Sequence, residues 1–177
     1  MKKTVLHELV LISLFAAIIS VFSLIAIPLF GVPITMQSFA IAASLFFLGG
    51  RRTLAAVALY IAIGCIGLPV FSGFSGGFGA LVGPTGGFIF GFLLESAAYL
   101  LITKMLGTGT RAKLLAYLVG HLLLYLVGAL WFFVGYSDGA SLAETLCASV
   151  LPFIIPDGIK AFVAYVIASR LSIKIKT

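Results

Sequence analysis

Six apolar runs constrain this chain more than any other feature. They fall at about residues 9–30, 34–49, 54–69, 84–103, 113–134 and 146–169 of 177. The first and the last three reach the ~20 residues that a helix needs to cross the hydrocarbon of a bilayer. The second and third are shorter and are separated by Gly49-Gly50-Arg51-Arg52. Two adjacent arginines at a bilayer centre would be costly, so this stretch reads as two helices and a tight turn rather than one long helix. Hydrophobic residues make up 62% of the chain and charged residues 9%, against about a quarter charged in a soluble domain. Lipid therefore has to be the solvent. The expected fold is all-α, a single polytopic domain over residues 1–177 with six transmembrane helices.

Six spans put both termini on one side. Lys2, Lys3, Arg51, Arg52, Lys104, Arg111, Lys113, Arg170, Lys174 and Lys176 then share that side, and the opposite loops, about 30–34, 70–83 and 135–145, contain no lysine or arginine. Merging or deleting one span would scatter these charges, so the positive-inside rule makes both termini cytoplasmic in a multi-pass protein of the cell membrane. The net charge of +6 is thereby a topology signal. No basic stripe with interleaved aromatics accompanies it, which argues against nucleic acid as a partner. The apolar stretch after Met1-Lys2-Lys3-Thr4 is too long for a signal-peptide core and lacks a small-x-small cleavage site, so it reads as a retained first span. Cys65 and Cys147 lie in or beside apolar segments, where buried packing is the default.

Polarity is concentrated in a few places. The loop over residues 69–83 alternates glycine with Phe71, Phe74 and Phe78 and carries no charge. That composition suits a lid folding over a ligand, with glycines allowing close backbone approach, or a connection packed against headgroups. Gly79, Gly83, Gly87 and Gly91 recur every four residues, and the last three would form a groove for another helix. In Gly31-Val32-Pro33-Ile34-Thr35-Met36-Gln37 the Gln37 amide offers a donor and an acceptor, to a ligand or to another helix. Within the last run, Asp157 and Lys160 are three apart and share a helix face at membrane depth. Pro156 and Gly158 flank the aspartate, and a broken helix is expected there. Glu95 and His121 reach comparable depth and could join Lys160 in one polar layer, as the floor of a cavity, a structural network or an ion path. In the first run Ala16, Ala17 and Ser20 form a small-residue patch where another helix could dock, from this chain or from a partner.

No arrangement for nucleophilic catalysis or metal binding is present: there is no His-Glu-x-x-His, no Cys/His cluster and no Gly-x-Ser-x-Gly. No glycine-rich loop ends in Gly-Lys-Ser/Thr, so ATP coupling would have to come from partners. A channel would want repeated polar residues along several helices. What remains is a membrane carrier for a small molecule with an apolar body, met by the loop phenylalanines, and a few polar groups, met by Gln37, Asp157 and Lys160. An ionised aspartate suits a ligand N–H and a lysine suits a carboxylate.

The order and spacing of Val32-Pro33-Ile34-Thr35-Met36-Gln37, Gly67-Leu68-Pro69-Val70-Phe71, Gly76-Gly77, Gly83-Pro84-Thr85-Gly86-Gly87-Phe88, Gly91-Phe92 and Pro152-Phe153 with Asp157 and Lys160 resemble the BioY family. This is the biotin-specific substrate-capture (S) component of energy-coupling factor transporters. The resemblance covers nearly the whole chain. It implies a six-helix, non-enzymatic protein that binds biotin from outside, with Asp157, Lys160, Gln37, Thr35, Phe71, Phe74, Gly76 and Gly77 as its site and no cofactor. It further implies a transmembrane coupling protein and ATPase subunits docking near Ala16, Ala17 and Ser20. The chain departs from the family pattern at Ser20, where alanine is common, and in the order Pro156-Asp157-Gly158. Lys160 would meet either the biotin carboxylate or Asp157 itself. An S component for another vitamin, or a structural membrane subunit, are the competing readings.

Overall fold

A computed structural model describes residues 2–28 and 32–175, with side chains for residues 5–28 and 32–171. Gly31, the end of the first expected span and Lys176 lie outside the described residues, as do the side chains of Lys2, Lys3 and Lys174. Among the described residues the fold is all-α apart from one hairpin of two-residue strands. Its helices are α1 (Lys2–Leu24), α2 (Gln37–Leu48), α3 (Gly50–Cys65), α4 (Phe78–Val82), α5 (Gly86–Leu106), α6 (Thr110–Tyr136), α7 (Leu142–Ser149) and α8 (Leu151–Ile175). Among the described residues four stretches are long and apolar enough to cross a membrane: Val5–Leu24, Gly86–Leu106, Thr110–Tyr136 and Leu142–Leu171. Helix α2, with 12 residues, is only about 18 Å long.

The polarity of the bundle is that of a membrane protein. On α6, Leu118, Leu122, Leu126, Leu130 and Val134 recur every four residues and all face outward. Glu95, Ser96, His121 and Asp157 face inward. A soluble helix would reverse this pattern. At the basic end, Arg52 bonds Glu8 at 3.0 Å and ties α3 to α1. Cys65 and Cys147, expected to be buried, are both exposed: one closes α3 and the other sits on the outer face of α7.

Glycines bring α5 against α6. A Cβ on Gly87 would lie 2.2 Å from Cβ of Trp131, one on Gly91 2.7 Å from Leu124 Cδ1, and one on Gly120 2.8 Å from the Glu95 carbonyl oxygen. Gly128 in turn receives the Phe88 ring. The expected glycine groove thus holds for Gly87 and Gly91. Gly83 instead ends α4, and its carbonyl accepts from Trp131 Nε1 at 3.0 Å. Gly87→Leu is expected to destabilise the protein by about 1–3 kcal/mol through overpacking. Gly79→Ala, whose Cβ would meet nothing within 4 Å, should leave the unfolding midpoint in detergent unchanged. Equal midpoints for the two variants would contradict this packing.

Two departures from the sequence expectation bear on the site. The helix does not break at Pro156: α8 runs continuously through it, with the proline inside the helix. The interruption lies earlier, at Val150 (φ −128°, ψ −54°) between α7 and α8. The chain after α1 forms an antiparallel hairpin, β1 (Ala26–Ile27) with β2 (Ile34–Thr35), in the register Ala26 to Thr35 and Ile27 to Ile34. This hairpin carries Val32, Pro33 and Thr35 over the end of the bundle opposite the basic one.

Candidate functional site

Beneath that hairpin lies a narrow, partly open cavity of about 60 Å³. Phe88 and Phe92 of α5, Leu124 of α6 and Phe153 of α8 form its apolar walls, and Asp157 lies on its lining together with Gln37, Ser38, Tyr60 and Tyr125. A shallower depression lined by Leu24, Phe74, Pro33, Ser72 and Thr85 shares the last three with the cavity and forms its approach.

Asp157 is the centre of the polar groups. Its Oδ1 accepts from Ser38 Oγ at 2.8 Å and from Lys160 Nζ at 2.9 Å, and its Oδ2 accepts from Tyr125 Oη at 2.8 Å. Lys160 also donates to the Thr35 carbonyl at 2.7 Å and to Ser38 Oγ at 3.2 Å. An ammonium has three donors, and all three are occupied by protein. In this structure Lys160 thus meets Asp157, and the lysine is not on the cavity lining. A carboxylate offers about four acceptor positions. One on Oδ2 remains unclaimed by a full hydrogen bond, with His121 Nε2 at 3.5 Å.

Gln37 is 4% exposed, and its Nε2 has no hydrogen-bond partner among the described residues. The Tyr60 hydroxyl, wholly buried on the same lining, lies beside the Gln37 amide and Ser23. Together they give this wall polar groups at a buried position.

The structure brings Asp157, Gln37 and Thr35 to the cavity and Lys160 behind it. Phe74 reaches only the approach and is exposed. Phe71 does not line the cavity. Its ring plugs the core, 5.3 Å from the Tyr60 ring and against Gly64, and pins the loop to α3. Gly76 and Gly77 shape the loop: a Cβ on Gly76 would strike the Leu68 carbonyl oxygen at 2.3 Å, and Gly77 has φ +84° and donates its N–H to the Gly64 carbonyl. Sequence reasoning missed Ser38, Tyr60, Tyr125, Phe88, Phe92 and Phe153 as lining residues. Tyr125 was within reach, being four after His121 and hence on one helix face. Nothing in the sequence distinguishes Tyr60.

Of the small residues on α1, Ala16 is sealed inside the chain and Ser20 is half-buried with its hydroxyl on the Ala16 carbonyl at 2.8 Å. Ala17 and Ser13, four apart, are exposed among outward-facing Leu9, Val10, Leu14 and Val21.

Comparison with known proteins agrees with this architecture. The family model described as "BioY family" matches residues 1–177. The chain is 37% identical over 166 residues to the probable biotin transporter BioY of Pyrococcus horikoshii, covering 93% of this chain and 95% of that one. It is 37% identical over 171 residues to the biotin transporter BioY2 of Lactococcus lactis, covering 97% and 93%. A crystal structure of the S-component for biotin from an ECF-type ABC transporter superposes with a TM-score of 0.86 at 28% identity, covering 97% of this chain and 94% of that one.

Proposed function

The chain belongs to the BioY family, and from that premise we propose that it takes up biotin across the cytoplasmic membrane as the substrate-capture subunit of an energy-coupling factor transporter. It is a carrier subunit rather than an enzyme. The observation that carries the site assignment is the Asp157 carboxylate, held by Ser38, Lys160 and Tyr125 on the lining of a cavity with aromatic walls. Biotin has an apolar body and a ureido group whose N–H suits that carboxylate, and its carbonyl suits the Gln37 amide and the Tyr60 hydroxyl on the same lining. Lys160 serves by holding the Asp157 carboxylate in place, and the valerate carboxylate extends toward the Thr35 and Ser72 side of the mouth.

In this reading six helical passes cross the bilayer, with α2 and α3 as the short ones and with both termini cytoplasmic. The placement of the basic residues supports it. The cavity then opens outward, and Phe74 and the 69–83 loop cover bound biotin. A transmembrane coupling protein with its ATPase subunits docks on the exposed face of α1 around Ala17 and Ser13, with the buried Ala16 and Ser20 setting the spacing of α1 on its own bundle.

Purified protein in detergent is expected to bind labelled biotin saturably, and a hundredfold excess of other vitamins should not displace it. Absence of saturable biotin binding would refute the assignment, and displacement by another vitamin would redirect it. Gln37→Leu, which keeps volume and deletes the amide, should weaken biotin about fivefold through loss of one hydrogen bond. Unchanged affinity would remove Gln37 from the site.

A further inference from the structure

Behind Asp157, farther from the cavity, is a second buried carboxylate that substrate capture as described leaves unused. Glu95 on α5 is 1% exposed, and its Oε1 lies 2.9 Å from His121 Nδ1 on α6. The other ring nitrogen, Nε2, faces Asp157 Oδ2 at 3.5 Å. One imidazole therefore stands between two carboxylates from two other helices. Its plane is fixed on both sides by its own helix, with Tyr117 stacked at 5.1 Å and Tyr125 edge-on at 4.6 Å. Gly120, next to His121 in sequence, lets the Glu95 backbone and side chain close on α6: a Cβ there would lie 2.8 Å from the Glu95 carbonyl oxygen and 3.2 Å from its Cγ.

The geometry points to His121 as a positioning residue for ligand recognition, held by Glu95 and acting through Asp157. This inference rests on the reading of Asp157 as the acceptor for the ligand N–H. The argument is one of hydrogen-bond supply. Asp157 Oδ1 is committed to Ser38 and Lys160, and one position on Oδ2 to Tyr125. A ligand N–H joins Tyr125 on Oδ2, and His121 Nε2, 3.5 Å from that oxygen on the Glu95 side, is too far for a full hydrogen bond and near enough to hold the carboxylate torsion by attraction. The ring sets Nδ1 against Glu95 and Nε2 toward Asp157. With Lys160 the cluster thus sets two basic side chains against two acidic ones, which is how ionisable groups are tolerated at membrane depth.

A chain of this kind makes a specific pattern of non-additivity. His121→Gln is expected to weaken biotin binding about tenfold, comparable to losing one charge-assisted hydrogen bond. Glu95→Gln should weaken it by a similar or smaller factor. Because each acts through the next, Glu95→Gln should cost less than about twofold in the His121→Gln background, and His121→Gln less than about twofold in the Asp157→Asn background. Titration calorimetry with biotin on each purified single and double variant reads these factors, with the unfolding midpoint recorded alongside. Additive losses in the Glu95/His121 cycle, or affinity losses that merely follow the drop in unfolding midpoint, would overturn the inference and leave the pair a structural bridge between α5 and α6. Wild-type affinity in Asp157→Asn would instead overturn the underlying site assignment. If Asp157→Asn binds too weakly to close its cycle, the Glu95/His121 cycle decides alone.

Discussion

Replacing Asp157 by asparagine is expected to lower biotin affinity about 10- to 100-fold while the bundle stays folded. The side chain is near-isosteric, so Ser38, Lys160 and Tyr125 keep a neighbour of the same shape. What disappears is the ionised acceptor. The amide oxygen can still accept from Lys160 and Ser38 in place of Oδ1, and the Tyr125 hydroxyl can turn to accept, but the nitrogen in place of Oδ2 now presents a donor to the ligand N–H. Donor facing donor at a desolvated position is worse than a missing bond. Calorimetry in detergent measures the loss, and a wild-type dissociation constant would mean that biotin is recognised elsewhere in the molecule.

Removing the lysine has a different signature. Lys160→Met is expected to cost about 3 kcal/mol of stability and to lower the unfolding midpoint by about 10 °C. It leaves Asp157 buried without its cation, and it strands the Thr35 carbonyl that anchors β2 over the cavity. The double variant Asp157→Asn/Lys160→Met should regain much of that stability, since removing both members of a buried pair is far less costly than removing one. It should not regain biotin binding. A double variant less stable than Lys160→Met alone would show that the ammonium matters for Thr35 and Ser38 rather than for the carboxylate.

How these residues come together was only partly legible in the chain. Asp157 and Lys160 stood out because charge inside a 24-residue apolar run is costly and rare, and their spacing of three put them on one face. The same reasoning found Glu95 and His121. It could not tell that His121 lies between Glu95 and Asp157, because depth along a helix follows from counting residues while azimuth depends on how helices pack. The loop phenylalanines illustrate the opposite error. Phe71, Phe74 and Phe78 look equivalent in sequence, yet Phe71 is the core plug and the other two are exposed, and the aromatic walls of the cavity are supplied by Phe88, Phe92 and Phe153. Pro156 and Gly158 read as a helix break through local propensity. Packing of α8 on α2 holds the helix together there, and the interruption moves to Val150.

What the sequence by itself determined is the solvent, the helical class and the position along each helix of every buried charge, since these follow from hydropathy and from a fixed rise per residue. Only the tertiary structure decided that Lys160 is spent on Asp157, Ser38 and Thr35, that Gln37 and Tyr60 line the same cavity, and that Glu95 reaches Asp157 through one imidazole. Those facts depend on hydrogen-bond geometry between residues up to 125 positions apart, which glycine-set helix distances fix to within a few tenths of an ångström and which no local pattern in the chain encodes.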